Sequence, residues 1–449
     1  LRLGQCRASY RGGGGGMSVV TSNSYLEGLL SGQPQLPASP VAWLNQRRAN
    51  AVDRVAALTV PTTRDEEWRF TDISQLTKQS FQPVRTVSRL QAADVERFYL
   101  EEAATRLVFV DGVYAPQLSS VARDLGVVVS NLSAAISAHA AAIEPHLGRH
   151  TEFQDNAFAA LNTAFLHDGA LIVVPRNASV ALPVHLLFIA TQKDAASYPR
   201  CLLVAESGST VTVVEDYVTL QEEAYFTNAV TEIALADNAR VNHIRVQRDS
   251  GRAFHIANCA VSLAHASSYQ SVSVALGARI SRYNLNVLQV AEGAECAIDG
   301  LTLIAERQLA DTHTCIDHAK PHGTSRQLHK CIVDGAAHAV FNGKIMVRPG
   351  AQLTNSSQSS RNLLLTGKAH VDTKPQLEIF ADDVKCAHGA TVGQLDNEEV
   401  FYLKSRGLSD VAARNLLTYA FGAEIIDRIP IASLKHRLEQ TVLEQTQRN

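Results

Sequence analysis

A short turn phrase recurs through the middle of the chain and restricts the folds open to it. The phrase is Gly or Asn, then Ala or Ser, then any residue, then an apolar residue. Its copies begin at Asn177, Gly208, Asn238, Gly277, Gly293, Gly350 and Gly389. A residue that adopts positive φ lets the chain change direction, and the apolar residue then begins a strand. Such repetition predicts a solenoid, here a parallel β-helix, with an antiparallel sandwich of similar turns as the alternative.

The stretches between these turns are rich in β-forming residues, and helical periodicity nearly vanishes for some 240 positions. Typical runs lie at 211–214, 241–246 and 285–290. We therefore assign residues 156–395 to the β-helix core. The predicted fold class is mainly β, with a helix-rich α/β region before the core and a helical subdomain after it.

Residues 17–155 are predicted to form the N-terminal helix-rich region. Ser39-Pro40 is a favourable helix start, and Pro61 ends the amphipathic run that follows. Further helices are expected at 92–104 and 131–143, and a strand at 126–129. Asp111-Gly112 predicts a tight turn between two short strands.

Residues 396–449 are predicted to form the C-terminal helical region. Ser409 is a suitable cap for a first helix, which Gly422 is expected to end. Its predicted apolar side consists of Val411, Ala412, Leu416, Leu417, Ala420 and Phe421. A second helix after Pro430 carries an apolar stripe of Ile431, Leu434, Leu438 and Val442. These helices are suited either to capping the last coil or to binding a partner.

The first 16 residues carry basic but no acidic side chains, and five consecutive glycines precede Met17. Glycine is a poor helix former, so we expect residues 1–16 to be a leader outside the fold. A plastid transit peptide is the alternative.

Composition and motifs exclude several functional classes. The formal net charge of −3 creates no strong field toward nucleic acid or an anionic membrane. No apolar run approaches the roughly 18 residues of a membrane helix. The seven cysteines are odd in number and widely scattered, which indicates a reducing compartment, and we expect the cytoplasm.

Motifs for catalysis are absent from the sequence. It lacks G-x-x-x-x-G-K-[ST], H-E-x-x-H and G-x-S-x-G, so we predict that the chain is not an enzyme and does not hydrolyse ATP itself. A β-helical carbohydrate-active enzyme is one alternative, for which Asp382, Asp383 and Lys385 are the nearest acid and base groups. A standalone metal-storage protein is another.

Two groups of residues have metal-ligand chemistry. The denser group is His313, Cys315, His318, His322, His329 and Cys331. Its spacing matches no zinc finger or ferredoxin, and strand alternation places position 318 on the opposite face from 313 and 315. In the second group, Cys386 and His388 lie two positions apart and so share one strand face. Two ligands do not close a tetrahedral site, so further ligands would have to come from elsewhere.

Several segments together resemble the SufB/SufD family of the SUF iron–sulfur cluster assembly system. The specific ones are Arg361 to Leu365, Lys374 to Ile379 and Asp382 to Gly393, supported by Val340 to Ile345 and Phe401 to Gly407. Upstream, the phrase Glu66-Glu67-Trp68-Arg69-Phe70-Thr71 is similar to the N-terminal signature of the family. The Cys-x-His-Gly-Ala-Thr-Val-Gly phrase resembles the SufD branch, whereas the Glu-His-Glu phrase of SufB, the alternative primary cluster scaffold, is absent.

The resemblance implies a right-handed parallel β-helix and a scaffold role in a complex with a SufB-like paralogue and the ABC-type ATPase SufC. It implies that the C-terminal helices dock SufC and that a nascent iron–sulfur cluster assembles at the interface with SufB. His388 matches the SufD histidine associated with that assembly, and Cys386 lies beside it. No cofactor is expected to bind firmly to the isolated chain, for which a homodimer is a further expectation. Several family members have other residues at 313, 315, 331 and 338.

Overall fold

The computed structural model describes residues 19–84, 88–122 and 126–447, so the predicted leader at 1–16 lies outside the described residues. Strands are numbered β1–β21 and helices α1–α10 along the chain. The centre of the molecule is a parallel β-solenoid of about eight turns. Each turn contributes one strand to each of two long sheets, A and B.

Sheet A runs from the N-terminal to the C-terminal end of the solenoid. Its strands are β4 (Val128–Asn131), β5 (Gly169–Val174), β8 (Arg200–Ala205), β10 (Phe226–Leu235), β12 (Phe254–Leu263), β14 (Ile280–Gln289), β16 (Leu309–His318), β18 (His338–Val347) and β20 (His370–Ile379), with β7 (Ala195–Ser197) beside β10 and β1 (Gln82–Pro83) beside β7. Sheet B contains β3 (Val113–Tyr114), β2 (Thr105–Val110), β6 (Val184–Ala190), β9 (Thr210–Thr219), β11 (Arg240–Arg248), β13 (Ser268–Ala275), β15 (Glu295–Ile304), β17 (Thr324–Val333), β19 (Asn355–Leu364) and β21 (Lys385–Gly393).

From β5 onward, each strand pairs in parallel with the strand one coil ahead. The predicted parallel β-helix is therefore confirmed, and the antiparallel sandwich is wrong. Successive side chains alternate between the lumen and the outer surface, because the strand period is two residues. Apolar lumen residues of the first coils form the main core, which includes Leu203, Val213 and Ile233.

The repeated turn phrase is confirmed at most of its copies. Asn177, Gly208, Asn238 and Gly293 all have positive φ, between 60° and 71°. The copy at Gly277 works differently, because positive φ falls on Ala278. A Cβ on Gly277 would lie 2.1 Å from the carbonyl oxygen of Asp249, so this glycine permits a close backbone approach instead.

Two other copies of the phrase differ from the prediction. After Gly350, positive φ falls on Leu353. Gly389 lies inside strand β21 and marks no turn. Neighbouring coils stabilise a strand here by pairing, so tertiary context outweighs the local turn preference.

The N-terminal region packs on both sheets and is continuous with them through β2 and β4. Its helices are α1 (Val19–Leu30), α2 (Ala42–Ala57), α3 (Ser74–Thr77), α4 (Ala92–Val95), α5 (Leu132–Ala138), α6 (Ala140–Ile143) and α7 (Ala157–Ala164). The predicted hairpin at Asp111-Gly112 is confirmed. The helix predicted at 92–104 is wrong beyond α4 and a short 3₁₀ turn, because Leu100 and Ala103 pack into the cluster formed with the C-terminal helices.

Three helices follow the last strand: α8 (Asn397–Ser405), α9 (Asp410–Ile426) and α10 (Ala432–Gln447). The helices α9 and α10 pack in one cluster with apolar residues of β11, β13, β15 and β17, and so cover the outer face of sheet B. Ser409 caps α9 as predicted. The predicted stop at Gly422 is wrong: α9 continues through it, and a Cβ there would lie 3.4 Å from Ile332 of the sheet. Among the described helices, none is both long and apolar enough to cross a lipid bilayer.

Candidate functional site

The C-terminal end of the solenoid is open. Strand β20 pairs only with β18, and β21 only with β19, so within the described part of the chain each has an unpaired backbone edge. Most of β21 is exposed, and so are Phe380 and Val392. An exposed strand edge with apolar neighbours is a template for pairing with another chain. This end is therefore the strongest candidate interface of the fold.

Both predicted ligands lie on β21 at this open end. Cys386 is opposite Ser356 of β19, and His388 is opposite Gln358. Cys386 is half-buried and packs beside Ile345 and Leu377 on the lumen side, which places His388 on the same side by alternation. Burial raises the pKa of the Cys386 thiol. The structure brings no third His, Cys, Asp or Glu of the described ranges to this pair as a metal-binding group.

A polar lumen leads up to these two residues from the preceding coils. The Gln358 amide donates to Oε1 of Gln327 at 2.8 Å, and Gln327 donates to Oγ1 of Thr314 at 2.9 Å. A parallel chain of contacts joins His318 to the Ser325 hydroxyl, and Ser325 to Ser356 at 2.6 Å. The first coils of the lumen are lined mainly by apolar side chains, among which the buried ion pair of Glu215 and His243 lies. Polar side chains line the lumen toward the end that carries Cys386 and His388. Cys386 and His388 thus lie directly after a hydrogen-bonded row of lumen side chains that ends at Ser356 and Gln358.

The buried histidines of this lumen predict acid sensitivity. Burial lowers the pKa of both His318 and His329 to about 4. In the unfolded chain each of these histidines takes up a proton near pH 6.5. The free energy of unfolding is therefore undiminished above that pH and falls as the pH drops from 6.5 toward 4. We expect a loss of about 2 kcal/mol per histidine at pH 5, measured as the urea-unfolding free energy against pH. His329→Gln should reduce this loss, while His265→Gln, at an exposed turn, should not. An unchanged pH dependence in His329→Gln would contradict the assignment.

The phrase Glu66 to Thr71 holds the N-terminal region against the outer face of sheet A. The Arg282 guanidinium lies 3.9 Å from the centre of the Trp68 ring and donates to the Glu67 carbonyl at 2.7 Å. Arg282 also contacts Asp311, which accepts a hydrogen bond from Thr71. Burial opposes ionisation of Asp311, but Arg282, His313 and Thr71 together outweigh burial and lower the pKa of Asp311 to about 2. The phrase is therefore a structural clamp.

The clamp borders a groove of about 560 Å³ on sheet A, into which His313 and Cys315 project. His313 lies 3.0 Å from Asp311 and 3.3 Å from Glu67. The hydrogen bond from His313 lowers the pKa of Glu67. The His313 imidazole is therefore part of the clamp.

The dense His/Cys group is divided among three environments. His313 and Cys315 lie on the outer face of sheet A, as strand alternation predicts. His318, His329 and Cys331 lie in the lumen, and His322 lies in an exposed turn with positive φ. No described subset of this group forms a shared metal site. Asp382 and Asp383, the nearest match to a lyase, lie in an exposed turn before β21.

A second exposed feature is an apolar patch on the C-terminal helices. It consists of Phe401 and Tyr402 of α8 and Val411 and Leu416 of α9, whose exposed fractions are 72, 57, 55 and 44%. The side of α9 predicted to be buried is therefore largely exposed, because the helix packs through Ala413, Thr418 and Gly422. The apolar stripe of α10 is confirmed, but it is buried against sheet B. The four side chains of the apolar patch therefore stay exposed within the described part of the chain.

Sequence reasoning missed the buried polar groups on the outer face of sheet A. Arg200 and Glu232 are fully buried and form an ion pair at 2.6 Å. His338, His370 and Asp372 also converge on this face. The sequence does contain a signal for both groups. In each, a charged or imidazole residue in a β-rich run is followed, one coil later, by another such residue.

Two family models together match most of the chain. The SufBD protein N-terminal region matches residues 21–186, and the SufBD core domain of SUF system FeS cluster assembly matches residues 188–421.

Similar proteins occur in bacteria and a plant. An iron–sulfur cluster assembly SufBD family protein of Synechocystis is 45% identical, with 89% of this chain and 90% of the relative covered. The iron–sulfur cluster assembly protein SufD of Escherichia coli is 34% identical, with 84 and 88% covered. The chloroplastic protein ABCI7 of Arabidopsis thaliana is 30% identical, with 91 and 88% covered. The chain belongs to the SufBD family of SUF-system iron–sulfur cluster assembly proteins.

Proposed function

We propose that this protein is a SufD-like, non-enzymatic scaffold subunit that assembles iron–sulfur clusters together with a SufB-like paralogue and a SufC-type ATPase. The observation that carries the proposal is the open solenoid end, where Cys386 and His388 lie on an edge strand that pairs on one side only. The chain has no P-loop, so a separate ATPase must supply ATP hydrolysis. The site of action proposed is the cytoplasm, or the plastid stroma.

The paralogue is proposed to dock on the free edges of β20 and β21. Backbone groups of an edge strand supply affinity by pairing with a second strand, and neighbouring side chains supply specificity. Such docking brings the partner's ligands next to Cys386 and His388. A thiolate and an imidazole are soft and borderline donors suited to iron, and a cluster shared across the interface needs the remaining ligands from the partner. The nascent cluster is cargo of the complex.

The ATPase is proposed to dock on the apolar patch of α8 and α9. Exposed aromatic residues such as Phe401 and Tyr402 are typical interface anchors. Ion pairs of Asp410 with Lys404 and Arg414 flank them and offer a polar rim.

The test of the whole proposal is co-expression with a SufB-like protein and a SufC-type ATPase, followed by anaerobic co-purification. We expect a stable three-component complex that contains iron and sulfide. Recovery of this chain alone, with neither partner, would contradict the scaffold role and leave the carbohydrate-active alternative to be tested.

Point substitutions test the ATPase contact better than deletion of residues 408–449. That deletion would uncover the apolar outer face of sheet B. Phe401→Asp with Leu416→Asp is expected to weaken ATPase binding at least about tenfold, because a charge replaces a desolvated anchor. Binding is measured by isothermal titration, and paralogue binding should be unchanged. Leu182→Asp, at a similarly exposed apolar residue elsewhere, is the matched control. Equal ATPase affinity in the double variant and this control would place the docking surface elsewhere.

A further inference from the structure

Three side chains with metal-ligand chemistry meet on the outer face of sheet A, in the last two coils. His338 of β18 and His370 of β20 are directly opposite each other in the parallel register. Asp372 lies two positions after His370 and so on the same face of the strand. This face is separate from the lumen, toward which Cys386 projects.

The ligand atoms of the three residues converge. His338 Nε2 is 2.8 Å from Asp372 Oδ2, and His370 Nε2 is 3.2 Å from the same oxygen. One nitrogen or oxygen of each residue lies within 4.8 Å of the others. Two ligands bound to tetrahedral zinc at about 2.0–2.1 Å are about 3.3 Å apart, so these separations need little rearrangement.

The charges around the group also favour a cation. Asp311 lies on the same row of sheet A, two strands before Asp372, and the Arg282 guanidinium neutralises it. The ion-pair partners found for Asp372 among the described residues are the two imidazoles. Lys374, the next residue of β20 on this face, pairs with Glu66. A divalent ion would therefore meet an available carboxylate and two imidazole nitrogen donors.

The pattern on the backbone supports a built site. Strand pairing holds the Cα atoms of His338 and His370 at the fixed spacing of adjacent parallel strands, about 4.8 Å. Their ring centres are 4.9 Å apart. His338 and Asp372 are half-buried, while His370 is exposed. The surrounding residues therefore restrict two of the ligands, and solvent reaches the third. Three protein ligands leave at least one coordination position free.

We propose that His338, His370 and Asp372 form a binding site for a divalent first-row transition-metal ion. Two imidazoles and one carboxylate suit zinc or ferrous iron. The site lies on the opposite face of the coil from Cys386 and does not depend on the proposed role of the protein in cluster assembly.

The test is titration of the full-length, reduced protein with Zn²⁺, followed by Co²⁺ as a spectroscopic probe. We expect one tight zinc equivalent that is lost, or weakened at least about tenfold, in His370→Ala and in Asp372→Asn. Bound Co²⁺ should give visible d–d bands without a thiolate charge-transfer band. His265→Ala, which removes an exposed turn histidine, should bind like the wild type. Thermal unfolding without metal establishes that each variant is folded.

Two results would overturn the proposal. One is zinc binding of equal affinity in the wild type and both variants, which would assign the metal to cysteine thiols or to scattered histidines. The other is no zinc bound by folded wild-type protein at micromolar concentration, in which case the three residues form only a hydrogen-bonded group. Cys386→Ala separates thiol binding from this site, because it should leave the Co²⁺ bands unchanged.

Discussion

Glu232→Ala is expected to lower the free energy of unfolding by about 3–5 kcal/mol. Glu232 is fully buried on the outer face of sheet A, where its carboxylate faces Arg200 at 2.6 Å. It also accepts backbone hydrogen bonds from Gly148, His150 and Thr151. Removing it leaves the buried Arg200 guanidinium with Asn162 and Thr163 as acceptors but without a counter-ion. It also leaves three N–H donors without an acceptor, and each such group costs free energy. Urea unfolding measures the loss.

The exposed pair of Glu223 and Arg252 is the matched control. Its separation of 3.1 Å is similar, but both side chains are largely in water. Exposed pairs contribute about 0–1 kcal/mol, so Glu223→Ala should be nearly neutral. Replacing both Arg200 and Glu232 with Met should cost less than Glu232→Ala, because no unpaired charge remains buried. A Glu232→Ala protein as stable as Glu223→Ala would show that the pair does not fasten the N-terminal region to the solenoid.

His388→Ala is expected to abolish most cluster formation in cells while the protein still folds and binds its partners. His388 is exposed on the last strand, so its side chain contributes little to folding, about 0.5 kcal/mol or less. As a proposed ligand at the paralogue interface, it has no substitute among the described residues nearby. Iron and sulfide content of the complex purified anaerobically measures the effect.

Two further variants, at Cys386 and at the distant His265, complete this experiment. Cys386→Ala should match His388→Ala if the thiolate is a ligand and be milder if it only assists. His265→Ala should retain the full cluster content. A full iron and sulfide content in the His388→Ala complex would show that the histidine is not a ligand. Failure of that complex to assemble would show that His388 acts in docking instead.

The sequence predicted the solenoid because turn chemistry and strand alternation are local. Asn177, Gly208 and Asn238 adopt the positive φ that their residue types favour, and the apolar residues of the Gly208 and Asn238 phrases lie at the starts of β9 and β11 as expected. After Asn177 the strand begins only at Val184. The cap at Ser409 and the stripe of α10 are local in the same sense. That Cys386 and His388 lie on one strand was also predicted from the sequence, since a spacing of two fixes a shared strand face, while their role as ligands stays a prediction.

Other features depend on which residues meet after the coils stack. The number of residues per coil decides that His338 lies opposite His370 and that Arg200 reaches Glu232, and no local preference encodes this number. The buried face of α9 is likewise decided by the close approach of Gly422 to Ile332, which turns Val411 and Leu416 outward. By itself the sequence determined the repeating unit and the strand face that Cys386 and His388 share, because these rest on φ preferences and period-two alternation. Only the tertiary structure decided the register between coils and the face on which the helices pack, because long-range contact and burial energies set both.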